Sequence, residues 1–219
     1  MKKRKLIFPL IILLYVSILL PFSCAEKDVI HDEGEILSAA EDLISESVLW
    51  NRIFYIEGLL PLEGGRSYGD YREVDPAYLS EIGLSSVAEI VAYGERIYSE
   101  SMMALFNETM FSAIKTDVGG VSSPAVCIDY TERIDGTERF LCVMVDPSES
   151  PRFHAPALEY FFDTMQIEYN RNGRASVSVS VRRIEDGALS SIKVTLVLEN
   201  EVWLLDSYTA FADFQGEQS

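Results

Sequence analysis

Basic residues are scarce in this chain: 18 lysines and arginines stand against 35 aspartates and glutamates in 219 residues, a formal net charge of −17. A surface that negative repels nucleic-acid phosphates and anionic headgroups. It excludes nucleic acid as a partner and favours cationic ones. Histidine is scarcer still, with only His31 and His154, and cysteine occurs three times, as Cys24, Cys127 and Cys142. The GxSxG, HExxH, CxxC, Walker and dinucleotide-glycine patterns are all missing. No template for catalysis, a metal or a cofactor is therefore expected. No internal repeat, low-complexity tract or interdomain linker divides the chain, so one domain with a sizeable core is expected.

Long hydrophobic runs are also absent, apart from one. Lys2, Lys3, Arg4 and Lys5 precede the apolar stretch Leu6–Phe22, which has the form of a signal-peptide n-region and h-region. At 17 residues, with Pro9 and Pro21 inside it, the stretch is short and broken for a stable membrane span. Three readings stay open. Ser23-Cys24 resembles the end of a bacterial lipobox, which makes Cys24 the lipidation candidate, although Pro21 and Phe22 depart from that motif. Ser23-Cys24-Ala25 also fits cleavage after Ala25, and the run would alternatively stay uncleaved as an anchor. All three put the domain outside the cytoplasm, secreted or held to a membrane by a lipid or signal anchor. Removing residues 1–24 with their four basic side chains leaves 14 basic against 35 acidic residues, a net charge of −21.

With Cys24 lipidated or removed, Cys127 and Cys142 remain, an even number in an oxidising compartment. They lie on the two arms of an expected hairpin, VCIDYTERI–DG–TERFLCVMV. A two-residue loop at Asp135-Gly136 sets Cys127 opposite Met144, with Cys142 diagonal on the same face. A four-residue loop, Arg133–Gly136, sets the cysteines directly opposite, and a three-residue loop puts them on opposite faces. A disulfide and two buried thiols are both open.

Residues 25–34 read as a flexible tether, and residues 35–214 as the domain. Asp32 and Glu35 have capping-box spacing, opening a long helix. Leu37, Ala40, Ile44 and Val48 form one stripe, continued by Leu49, Ile53, Ile56 and Leu60, with Trp50, Phe54 and Tyr55 as a core-facing aromatic surface. Tyr68–Val74 reads as a short strand or extended link. Ser86-Val87-Ala88-Glu89 opens a second helix, and Met103, Phe106, Met110 and Ile114 mark a further helical segment, continuous with it or separate. The last fifty residues are strands. Asn172-Gly173 is a type I′ hairpin signal, because both central residues need positive φ. Val177, Val179 and Val181 then alternate with Ser176, Ser178 and Ser180, and Ile192, Val194, Leu196 and Leu198 form the next apolar face. Glu185-Asp186-Gly187 and Glu199-Asn200 turn the chain between these strands.

Helices first and an antiparallel meander last make an α+β pattern, with N-terminal helices packed on a curved antiparallel sheet. That order, with the ending LENEVWLLDSY, resembles the NTF2-like (cystatin-like) roll, whose last hairpin often reads ENGxWxLD. A narrower resemblance, in YIEGLLPLEGGRSYGDYREVDPAYLSEIGLSSVAEIVAYGERIYSESMMALF, is to bacterial envelope proteins of the IseA type, inhibitors of peptidoglycan DL-endopeptidases. Tyr98-Ser99 stands here where those relatives often show Phe-Thr. The resemblance implies a non-catalytic envelope module whose partner is a basic envelope protein, a cell-wall hydrolase among the candidates. NTF2-like enzymes place Asp–His pairs in the cone, so His154 with Asp129 or Asp163 is the pocket candidate for an alternative, small-molecule or enzymatic reading. A structural lipoprotein is the third. His31 lies beside Asp28, Asp32 and Glu33, but a flexible segment offers no preorganised metal geometry.

Overall fold

The computed structural model describes residues 29–69, 71–107, 130–136, 138–144 and 155–212. Helix α1 spans Glu33–Asn51, and the Asp32 side chain caps it by accepting from the Glu35 amide at 2.9 Å. Its last turn widens into a π-helical segment, Arg52–Ile56. The buried stripe is Ile36, Ala40, Leu43, Ile44, Ser47, Trp50 and Asn51, rotated from the expected one, so Val48 stands 41% exposed, and Leu60, expected to continue the stripe, lies past the helical segment and is 44% exposed. The aromatic side chains set this rotation. Trp50 and Phe54 bury the most apolar area when they face inward, and both are fully buried, 4.4 Å apart between ring centroids.

Two short strands follow, β1 (Ser67–Tyr68) and β2 (Tyr71–Glu73), then α2 (Pro76–Ile82), α3 (Val87–Glu95) and α4 (Glu100–Phe106). Each helix starts on a side-chain cap: Asp75 before Pro76, Ser86 and Ser99. The expected helical run after Ser86 is thus two helices. Between them Tyr98 bridges in parallel to Leu205, with Ser99 N–H donating to the Leu205 carbonyl at 2.8 Å. Helix α3 crosses α1 at Gly94, where a Cβ would sit 2.5 Å from the Trp50 ring. Only glycine permits that approach.

Strands β3 (Tyr130–Asp135) and β4 (Glu138–Met144) form the expected hairpin. It closes between Asp135 and Glu138 around Gly136, one residue beyond the expected Asp135-Gly136 loop, and this register pairs Thr131 with Cys142. Strands β5 (Leu158–Arg171), β6 (Arg174–Arg183), β7 (Leu189–Glu199) and β8 (Val202–Leu205) are the meander. Asn172 and Gly173 take φ of 52° and 70°, and Asn200 and Glu201 take 50° and 68°. These are the positive values a type I′ turn needs.

The strands form two antiparallel sheets, β1-β2-β4-β3 and β5-β6-β7-β8, giving an α+β fold. The β3–β4 hairpin pairs with β2 rather than with the meander (Arg72 opposite Val143, Glu73 opposite Cys142). The inner face of the meander (Val177, Val179, Val181, Ile192, Val194, Leu196, Trp203, Leu205) is buried in one core with α1. Register breaks between Phe161 and Gln166, and again between Ile167 and Tyr169, bend β5. Thr164 Oγ1 fills the first break by accepting from Ser180 N–H at 2.9 Å.

Candidate functional site

A groove of about 460 Å³ opens where the helical pair meets the last hairpin. Its more covered lining is apolar, Tyr98 from the α3–α4 junction, Met103 from α4 and Leu204 from β8, with Ala104 of α4 exposed beside them. Its rim carries three carboxylates, Glu95 at the end of α3, Glu100 at the start of α4 and Glu199 at the end of β7, with the amides of Asn107 and Asn200. Local chemistry holds each wall. The Glu199 carboxylate accepts from the Glu100 amide at 3.1 Å, joining the hairpin to the first turn of α4. The Asn200-Glu201 turn holds the hairpin tip, and the parallel bridge at Leu205 fixes Tyr98 in the lining.

Behind this lining, Asp206 is the anchor. Its Oδ1 accepts from Ser99 Oγ and Ser101 Oγ, both at 2.6 Å, and its Oδ2 pairs with Arg174 at 2.5 Å. Burial pushes the Asp206 carboxyl up, but the Ser101 and Ser99 hydroxyls and Arg174 together outweigh it and hold it below its ordinary value. Ser99 therefore works twice, donating to Asp206 and capping α4 by accepting from Met102 N–H at 3.2 Å.

A second polar cluster lies inside the core. Thr209 Oγ1 meets Ser47 Oγ at 2.7 Å and accepts from Asn51 Nδ2 at 2.8 Å, and Tyr160 O–H donates to the Thr209 carbonyl at 3.1 Å. Ser47 and Thr209 are fully buried, so these bonds replace lost water and pin the irregular segment 206–212 across α1. Burial pushes the Tyr160 hydroxyl up to about 12 and raises that of Tyr98 further.

Of the residues singled out from the sequence, Cys24, Cys127, Asp129 and His154 lie outside the described residues. Cys142 is buried on β4, between Glu73 and Thr131. Asp163 is exposed in the first break of β5, and the groove does not include it. His31 stands edge-on to Trp203, ring centroids 5.2 Å apart, in a segment the tether reading called flexible. Among the described residues, no group of three or more His, Cys, Asp or Glu could hold a metal ion. Sequence reasoning missed the groove because Glu95, Glu100 and Glu199 are distant in the chain and read singly as solvated acids. Ser99-Glu100 ahead of an apolar run was a legible helix-start signal. Its link to Asp206 was not. Comparison with known protein families and with characterised proteins finds no match to either.

Proposed function

We propose that this chain is a non-catalytic, extracytoplasmic binding module of a bacterial cell envelope, and that the acidic groove takes a basic segment of an envelope protein. One observation carries the reading: three carboxylates from three elements line one groove with Tyr98, Met103 and Leu204, on a chain with nearly twice as many acids as bases. An arginine or lysine side chain suits that chemistry, its methylenes against Met103 and Leu204 and its charge at the rim. The leader supports placement outside the cytoplasm, through Cys24 or the apolar run. The IseA-type resemblance makes a cell-wall hydrolase the first partner to try. The NTF2-like roll belongs to the same proposal, supported by α1 lying against a meander that breaks in β5 bend.

The rival small-molecule reading needs space between α1 and the meander, where Trp50, Phe54, Val177, Val194 and Leu196 are packed at zero exposure. The test is a pull-down from envelope extract with the full chain, followed by titration of an arginine-rich peptide at low and at high salt. Binding should weaken with salt, and Glu100→Gln or Glu199→Gln should each cost about two- to fivefold in affinity. Binding indifferent to both salt and these substitutions would sink the reading.

A further inference from the structure

The chain enters the fold at a defined place. Val29 N–H donates to Asn172 Oδ1 at 3.0 Å, and Asn172 N–H returns a bond to the Val29 carbonyl at 2.8 Å. Two residues on, His31 N–H donates to Asn170 Oδ1 at 3.2 Å, and Asn170 Nδ2 donates to the His31 carbonyl at 2.8 Å. The two asparagine side chains thus act as a short extra strand for residues 29–31, and the His31 ring closes on Trp203. This clamp sits at the Asn172-Gly173 end of the meander. The Asn200-Glu201 turn lies at the same end, because Leu198 N–H donates to the Gly173 carbonyl at 2.7 Å. The opposite end, at Ile184–Gly187, is about 30 Å away along β6, from ten residues at the rise of an extended strand.

Cys24 is five residues before Val29, and the apolar run ends at Phe22. Five peptide units reach at most ~18 Å, however they are arranged. We infer that the Asn172/Asn200 end of the meander faces the bilayer, which puts the groove, lined by Glu199 and Asn200, at the membrane-proximal end of the domain. The basic segment it takes is then a membrane-proximal one. The inference rests on the envelope-module reading and adds an orientation to it. Glu199 and Glu201 at this end repel anionic headgroups, so the domain stands over the membrane rather than inserting into it.

The test uses the full chain isolated from bacterial membranes and placed in phosphatidylethanolamine–phosphatidylglycerol vesicles carrying a headgroup nitroxide. A fluorescent amino acid is introduced at Val202, 56% exposed beside the near turn, or at Glu185, exposed at the far end. Quenching at position 202 should exceed that at 185 by threefold or more. Equal quenching, stronger quenching at 185, or a chain that does not sediment with the vesicles overturns the inference. Replacing Asn170 and Asn172 by alanine should erase the difference. Inserting twenty Gly/Ser residues between Glu26 and Lys27 should erase it too, without touching the fold; persistence of the difference there rules out the tether as its cause. Glu100→Gln with Glu199→Gln should weaken peptide binding by about four- to twenty-five-fold and leave the quenching difference unchanged, which separates failure of the groove from failure of the orientation.

Discussion

On the meander, Val177, Val181, Val194, Leu196 and Leu205 share one apolar core, at zero exposure, with Ile36, Ile44 and Trp50 of α1 and Phe54 of the π-helical segment after it. The β1–β4 sheet is held differently. Arg66 lies over the Phe140 ring, 3.6 Å from its centroid, and pairs with Glu73 at 2.8 Å and with Glu138 at 3.0 Å. Among the described residues of this sheet, the buried apolar side chains include Leu141 and Val143. Apolar burial scales with area and is indifferent to salt, whereas a charge cluster with a covered pair, Arg66 and Glu73, and exposed members, Asp135 and Glu138, is screened on its open side and contributes less. The difference teaches that stability resides in the α1–meander half, with the small sheet a dependent layer.

The comparison breaks most readily at its strong side. Trp50→Ala should remove about 3–5 kcal/mol from global stability, read as a lower urea midpoint by tryptophan-independent circular dichroism. An unchanged midpoint would show that the α1–meander contact is not the main source. Next in size, Thr209→Val leaves Ser47 and Asn51 facing a methyl group and should cost about 1–3 kcal/mol, releasing segment 206–212 to rapid amide exchange. On the weak side, Arg66→Ala should cost about 1 kcal/mol and act locally. Amides of β2 and β4 should exchange faster while those of β6 keep their protection; equal acceleration in both sheets would merge them into one cooperative unit.

The pH dependence sharpens the same contrast. The Glu73 carboxyl is lowered chiefly by its bond to Arg66, and Asp186 is held down at about 2 chiefly by Arg183. Asp206 is lowered as well. The unfolded chain therefore takes up protons first. Their contribution is present above the ordinary carboxylate range, near pH 4, and is lost as pH falls through the lower folded values. Tyr160 runs the opposite way: raised by burial to about 12, it favours the fold below the ordinary tyrosine value near 10 and loses that contribution as pH rises toward 12. Near-ultraviolet titration should show an alkaline transition that Tyr160→Phe moves upward.

Local signals in the sequence were read well. The Asp32 cap, the Ser86 cap, the Asn172-Gly173 turn and the valine–serine alternation of β6 all appear where their short-range chemistry demanded. Helix α2 was not legible although Asp75, Pro76 and Gly83 carry its start and stop, because over seven residues the same Asp, Pro and Gly signals read equally as turns. The rotation of α1 was misjudged for another reason: periodicity offers several neighbouring stripes, and only packing against Gly94 and the meander selects the one that buries Trp50.

By itself the sequence determined its acidic balance and what depends on neighbours within four or five residues: caps, turns and strand alternation. Tertiary structure decided everything that joins distant residues. It placed the β3–β4 hairpin on β2 instead of on the meander, since either free edge satisfies the same backbone groups and only the Arg66 cluster and the surrounding core distinguish them. It brought Glu95, Glu100 and Glu199 to one groove, and tied Asp206 to Ser99. It also clamped residues 29–31 to Asn170 and Asn172, through hydrogen bonds whose partners lie about 140 positions apart in the chain and so leave no pattern in it.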